Sequence, residues 1–258
     1  MLVTLTSDWN LQDYYAGSLK GAIRSRCPGV EIVDISHQIR SFDIVQCAFV
    51  LRHAFAHFPP GSIHLIAVQC EPQPLVPMVI VYARDHYFVG LNDGRFSLLF
   101  DDPPAEAFAL PVPVGPYSFA SLLLFTRAVA AIVEGRVESE TKSCVLQTES
   151  PGRPVYSASE IVGRVVYIDS YGNAITNISR ALFIKVCQGR AFEIFVRGTF
   201  ARLEGIVGGY DEVADGQMLA LFNSVGCLEI AINKANLAQL ESMDTHSEIR
   251  IKFYERKR

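Results

Sequence analysis

No stretch of this 258-residue chain is apolar for long enough to cross a membrane. The longest candidate, SFASLLLFTRAVAAIV, is interrupted by Arg127 and falls short of the roughly 18 to 20 residues a bilayer requires, so it reads as a buried helix. The N-terminus, MLVTLTSDWN, has no basic segment, and Asp8 stands where a signal peptide would continue apolar; a cytoplasmic location is expected. Cysteine is sparse: Cys27, Cys47, Cys70, Cys144, Cys187 and Cys227 lie 20 or more residues apart, with no CxxC pair and no short His-Cys cluster. That excludes a tetrahedral zinc site, leaves no metal expected, and suits reduced thiols. Positive charge is also short, with 23 Lys and Arg against 27 Asp and Glu, and the basic ending YERKR is too brief to hold a phosphate backbone. Nucleic acid and membrane are therefore not expected partners. The phosphate-cradling patterns GxGxxG and GxxxxGK[ST] are missing, as is the GxSxG nucleophile elbow, and Ser157 and Ser159 in YSASE have no evident activating base. There is no internal repeat and no low-complexity tract.

What is present is alternation. LVTLTSD reads as a strand, and QDYYAGSLKGAIRSRC places Tyr15, Leu19, Ala22 and Ile23 on one helical face. VEIVDIS is a strand, DIVQCAFVLRHAFAHF a helix closed by Pro59-Pro60-Gly61, and SIHLIAVQ and MVIVYA are continuously apolar strands. This order predicts an α/β domain with a largely parallel sheet over residues 1–140. Hydrophobicity falls across RVESETKSCVLQTESPGRP, which predicts a linker at 141–155. Beyond it, at 156–258, short strand-like runs separated by Gly, Asp and Asn turns predict an all-β barrel.

Some residues carry candidate chemistry. Asp8 stands past the carboxyl end of the first strand, where open α/β sheets gather ligands and where a carboxylate suits ribose hydroxyls; a helix N-cap before Leu11 is the competing reading. His53 and His57 are four apart on the expected second helix but lack a third metal ligand, and His64 inside an apolar strand reads as a hydrogen-bonded core histidine. In YIDSYGNAITNISR, Asp169, Gly172 and Asn173 form a polar corner between two apolar runs, which a hairpin turn alone would explain.

Several segments together resemble the S-adenosyl-L-methionine hydroxide adenosyltransferase family, whose relatives include fluorinating and chlorinating enzymes. They are LTSDW at 5–9, VDISHQI at 33–39, AFVLRHAFAHFPPGSIHL at 48–65, YFVGLNDG at 87–94, DSYGNAITNI at 169–178 and LFNSVGCLEIAIN at 221–233. The resemblance spans nearly the whole chain and implies a homotrimer with the ligand between the N-terminal domain of one subunit and the C-terminal domain of its neighbour. By motif, Asp8 would hold the ribose hydroxyls, Asp169 the methionine ammonium, Asn173 the adenine edge and Ser224 the methionine carboxylate. Tyr171 and Tyr210 would stack on adenine, and Phe42 would pack near the ribose. No cofactor is implied beyond S-adenosylmethionine itself, as substrate or ligand.

The resemblance weakens at the chemical groups. The family's Asp, Arg and His that handle the attacking water correspond here to Gln69, to a place within Leu75–Val76–Pro77, and to Ala120, with Glu71 as the nearest substitute base. Asn92 and Asp93 exchange their expected order, and Val225 replaces a polar residue of the halogenating relatives. The expectation is a protein that binds S-adenosylmethionine or adenosine and, if active, hydrolyses the former to adenosine and methionine slowly. The alternatives are a non-catalytic nucleoside-binding homologue and a pocket with a changed ligand.

Overall fold

The computed structural model describes residues 1–102, 104, 106–112, 118–149, 152–196 and 201–255. Residues 150–151 of the expected linker and the basic ending 256–258 lie outside them. The chain divides into two compact units, Met1–Pro151 and Gly152–Arg258.

In the first unit the alternation read from the sequence becomes β1 (Leu2–Ser7), α1 (Tyr14–Arg26), β2 (Glu31–Ser36), α2 (Ile44–Ala54) and β3 (Ile63–Ala67). It continues as β4 (Met78–Ala83), β5 (His86–Leu91), α3 (Arg95–Leu99), β6 (Glu106–Ala109), α4 (Ala120–Val133), α5 (Val137–Glu140) and β7 (Lys142–Val145). The strands form one seven-stranded sheet, ordered β2-β1-β3-β5-β4-β6-β7. The first four are mutually parallel, and β4, β6 and β7 extend the sheet antiparallel. Continuous burial along β1 and β3 follows from helices on both faces. Leu19 and Ile23 of α1 and Leu124 and Phe125 of α4 pack with Val3, Leu5 and Leu65 on one face. Cys47 and Leu51 of α2 and Phe96 and Leu99 of α3 pack with Ile66, Val81 and Phe88 on the other. Strand β7 falls inside the segment read as a linker; its pairing with β6 gives backbone groups there a partner that local polarity does not reveal.

The second unit contains β8 (Val155–Tyr156), β9 (Glu160–Ile168), β10 (Ala174–Ser179), α6 (Arg180–Cys187), β11 (Ala191–Val196) and β12 (Ala201–Leu203). These are followed by β13 (Met218–Phe222), β14 (Cys227–Ile232), α7 (Leu237–Leu240) and β15 (Glu248–Tyr254). The strand order β12-β11-β15-β9-β10-β14-β13 brings the end strands β12 and β13 into contact, so the antiparallel sheet nearly closes as a barrel. β9 and β15 bury every second residue, the period-two pattern of a strand with one face inward. The interior is Ile161, Val165, Ile178, Ile194, Leu228, Ile230 and their neighbours. Helix α6 was not foreseen; Ser179 caps it by accepting the Leu182 amide at 3.1 Å.

Among the described residues no helix is long and apolar enough to cross a membrane.

Candidate functional site

Of the residues singled out from the sequence, Asp8, Phe42, Gln69 and Glu71 line one pocket of the first unit, and Asp169, Tyr171, Asn173 and Tyr210 line one of the second. In the first unit, Asp8 directly follows β1. Its Oδ2 accepts the amides of Phe42 at 2.9 Å and Gln69 at 3.4 Å, tying together three loops at the carboxyl ends of the strands. The helix that follows starts at Tyr14 with Asp13 at its N-cap position, so Asp8 is not a helix cap. A pocket of about 450 Å3 opens here, lined by Asp8, Phe42, Gln69, Cys70 and Glu71. Trp9, Tyr15 and Phe119 form its aromatic wall, with ring centroids 5.2 to 6.0 Å apart.

Three non-glycine residues of this lining, Asn10, Phe42 and Gln69, hold positive φ angles of 58°, 67° and 44°. Such backbone costs on the order of 1 kcal/mol or more per residue and persists where surrounding bonds impose it. Those bonds are visible. The Ser7 hydroxyl is hydrogen-bonded to Nδ1 of His37 at 2.6 Å and the His37 carbonyl accepts the Asn10 amide, while Nε2 of the same ring lies 3.1 Å from Asp34 without hydrogen-bond alignment. This Ser-His-Asp row is fully covered at Ser7 and staples the Asp8 loop rather than exposing a nucleophile. Behind Gln69, the buried Arg95 guanidinium donates to the carbonyls of Ile66, Val68 and Gln69 and pairs with Asp93 at 2.7 Å. Asn92 bridges the Val145 carbonyl and the Gln147 amide. Both members of the exchanged Asn92-Asp93 pair therefore bond within the unit.

Glu71 is fully engaged. Its Oε2 accepts the amides of Ala120 and Ser121, and its Oε1 accepts the Ser121 hydroxyl at 2.5 Å. The carboxylate thus sits on the N-terminus of α4, where the helix dipole favours negative charge. Ala120 contributes only its amide.

In the second unit, Asp169, Tyr171, Asn173 and Tyr210 line one pocket of about 640 Å3 together with Ile232, Asn233, Lys234, Ala235 and Asn236. The turn reading of the corner holds. Asp169 Oδ1 accepts the amides of Tyr171 and Asn173, both at 2.9 Å, while Gly172 sits at φ +85°. The same residues carry the pocket's polarity, so turn and ligand contact are not alternatives. The Asn173 amide nitrogen donates to Asp169 Oδ2 at 3.1 Å and to the Tyr210 hydroxyl at 3.2 Å. A carboxylate only accepts, so the nitrogen must face it, and both of its hydrogens are used. The Asn173 carbonyl oxygen is left as an acceptor without a donor among the described residues. The Tyr210 hydroxyl donates to Glu229, and its pKa is pushed up first by burial and then by the Glu229 bond and charge, so it remains a phenol.

Ser224 is outside that lining, exposed on the turn between β13 and β14. Phe42 and Tyr171 are exposed rims of their respective pockets, at 71% and 77%. His53 and His57 are separated structurally: His57 belongs to a 3-10 turn, Phe55–His57, beyond the end of α2. No cluster of three metal-ligating side chains occurs among the described residues. His64 is the core histidine expected, 2.7 Å from Thr4 Oγ1 and 3.1 Å from His86; burial first, and His86 second, push its pKa down to about 3. Sequence reasoning missed Glu229, Asn223 and Asn236. Glu229 had a legible signal, a carboxylate in the otherwise apolar run CLEIAI whose neighbours Leu228 and Ile230 face the barrel interior.

Two family models match this chain: the SAM hydroxide adenosyltransferase N-terminal domain over residues 3–148 and its C-terminal domain over residues 163–250. An (R)-S-adenosyl-L-methionine hydrolase of Thermus thermophilus is 28% identical, covering 91% of this chain and 92% of its own. One of Methanocaldococcus jannaschii is 26% identical, covering 97% and 95%. Among solved structures, a conserved protein of Thermotoga maritima superimposes with a TM-score of 0.85 at 25% identity, over 98% of this chain and all (100%) of its own.

Proposed function

The chain belongs to the SAM hydroxide adenosyltransferase family, and from that premise we propose that it binds S-adenosylmethionine and hydrolyses it slowly to adenosine and methionine. The observation that carries this reading is the gathering of Asp169, Tyr171, Asn173 and Tyr210 in one pocket with the Asn173 carbonyl oxygen unspent. A free acceptor matches the 6-amino group of adenine and rejects a 6-oxo purine. Asp169 suits the ammonium of a ligand that carries two positive charges and one negative. Ser224 would take the methionine carboxylate, Asp8 the ribose hydroxyls, Phe42 would pack near the ribose, and Tyr171 with Tyr210 would stack on the base.

Each pocket is open and supplies half of the required contacts, with an exposed aromatic rim, Phe42 in one and Tyr171 in the other. That supports a homotrimer in which the Asp8 pocket of one subunit meets the Asp169 pocket of its neighbour. Six cysteines with no disulfide, and a cellular cosubstrate as ligand, support a cytoplasmic location. Slowness follows from the Asp8 side. The Gln69 carboxamide orients a water but takes no proton near neutral pH, and Glu71 is held at a helix terminus. Lost general-base assistance costs about 10²- to 10⁴-fold.

Trp9, the sole tryptophan, lies in the Asp8 pocket and reports on it directly by fluorescence. Titration with S-adenosylmethionine should change that fluorescence. Calorimetry should show adenosine and S-adenosylmethionine binding, inosine at least tenfold weaker than adenosine, and both adenosine and S-adenosylmethionine lost in Asp169→Ala, because Asp169 also holds Asn173 in place. Adenosine release should exceed a buffer control over hours. No binding of either adenosine or S-adenosylmethionine to the wild type refutes the reading, and binding without any release leaves a pure binding protein.

A further inference from the structure

We propose that Glu229 is a positioning residue whose buried carboxylate couples the adenine-facing wall of the Asp169 pocket to the hairpin turn that carries Ser224, setting the register of both ends of one ligand. The proposal rests on the ligand reading above and deepens it.

Glu229 lies on β14 opposite Leu221, on the strand face turned away from the barrel interior, and is only 4% exposed. A carboxylate is retained in such a place when its oxygens are hydrogen-bonded. Oε1 accepts the Tyr210 hydroxyl, and the Tyr210 oxygen in turn accepts from Asn173 at 3.2 Å. Oε2 accepts the Asn223 amide nitrogen at 3.2 Å. The Asn223 carbonyl oxygen, turned the other way, receives the amides of Val225 at 3.2 Å and Cys227 at 3.1 Å, which fixes the turn through Ser224. Two arms therefore leave one carboxylate, one to the base-recognising amide and one to the turn.

The carboxylate is required because it accepts at both oxygens. Its two donors must point inward, which leaves the Tyr210 oxygen as the acceptor for the Asn173 nitrogen, reinforcing the orientation that Asp169 imposes, and sets the Asn223 oxygen toward the turn. A glutamine at this position serves one arm and presents a donor to a donor on the other. Asn223→Asp keeps the oxygen for the turn amides but sets a second carboxylate against Glu229. Tyr210→Phe keeps the ring and removes the first arm alone.

Calorimetric titration of the full chain with adenosine, inosine and S-adenosylmethionine separates the arms, with circular dichroism confirming that each variant is folded. Tyr210→Phe should weaken adenosine about tenfold and reduce its preference over inosine, the scale of one hydrogen bond lost from a charged network. Asn223→Asp should leave adenosine within about twofold and weaken S-adenosylmethionine about tenfold. Glu229→Gln should weaken S-adenosylmethionine about tenfold or more, and adding Asn223→Asp to it should cost much less than the product of the two. If Glu229→Gln fails to fold, the contrast between Tyr210→Phe and Asn223→Asp decides. The proposal falls if Asn223→Asp weakens adenosine as much as S-adenosylmethionine, if Tyr210→Phe leaves the preference for adenosine over inosine unchanged, or if Glu229→Gln binds adenosine and S-adenosylmethionine within twofold of wild type. A wild type that binds neither ligand removes the functional reading and this proposal with it, whereas normal wild-type binding with unaltered variants removes only this proposal.

Discussion

Replacing Gly172 by alanine should destabilise the second unit and damage the pocket at the same time. Gly172 occupies φ +85°, and a Cβ built there falls within the carboxamide of Asn236. The backbone component is about 1 to 2 kcal/mol for an L-residue in the left-handed region, less about 0.4 to 1 kcal/mol recovered by stiffening the unfolded chain, leaving about 1 kcal/mol. The steric component is separate. Asn236 caps α7 by accepting the Gln239 amide at 2.8 Å, and the Gly172 carbonyl accepts the Ala238 amide at 3.0 Å. Displacing the cap adds about 1 kcal/mol, for a total of about 2 kcal/mol. Gly216, in the same unit, has φ +80° and no atom near its would-be Cβ, so Gly216→Ala should show only the backbone component. Urea unfolding followed by far-UV circular dichroism measures the difference, while Trp9 fluorescence follows the first unit independently. Adenosine affinity should fall in Gly172→Ala, because Asp169 and Asn173 flank the displaced turn. If Gly172→Ala costs no more than Gly216→Ala, the claimed packing of Asn236 against the turn is wrong.

The buried His64 predicts acid sensitivity of the first unit. Its folded-state pKa, depressed to about 3, lies below the ordinary value, so stability is fully present above about pH 6.5 and drains away as pH falls toward 3, by about 1.4 kcal/mol per unit from this group. A pH series of denaturant midpoints should show that slope reduced by about one proton in His64→Leu, and an unchanged slope counts against a neutral buried imidazole. Asp93→Asn should cost about 3 kcal/mol because it leaves the Arg95 guanidinium, 2% exposed, without its anion. The same change should also perturb Trp9 fluorescence titrations, because Arg95 anchors the Gln69 carbonyl; a cost below about 1 kcal/mol would show that backbone carbonyls alone satisfy the guanidinium.

Much of the architecture was legible because its signals are local. The apolar runs of β1, β3 and β4 and the helical spacing of Leu19 and Ile23 identify a sheet covered by helices, and alternation along β9 and β15 identifies a sheet with one inner face. Less local features were lost. Strand β7 sits in a polar stretch that pairs only because β6 lies beside it, and α6 follows β10 directly without a break in the apolar pattern. The turn at Asp169 was readable as a turn, yet nothing local showed that Asn173 would spend both amide hydrogens on Asp169 and Tyr210.

The sequence by itself determined the two kinds of sheet, the family to which the motifs point, and the residue types available for a nucleoside, since these depend on neighbours along the chain. Tertiary structure alone decided which groups remain free to act. Glu71 could be read as a substitute base until α4 was seen to bring its first amides onto that carboxylate. Glu229 passed as a strand residue until Tyr210 and Asn223, 19 and 6 positions away, closed over it. Hydrogen-bonding capacity is written in the side chain, but its expenditure is settled by whichever distant groups folding places within 3 Å or so.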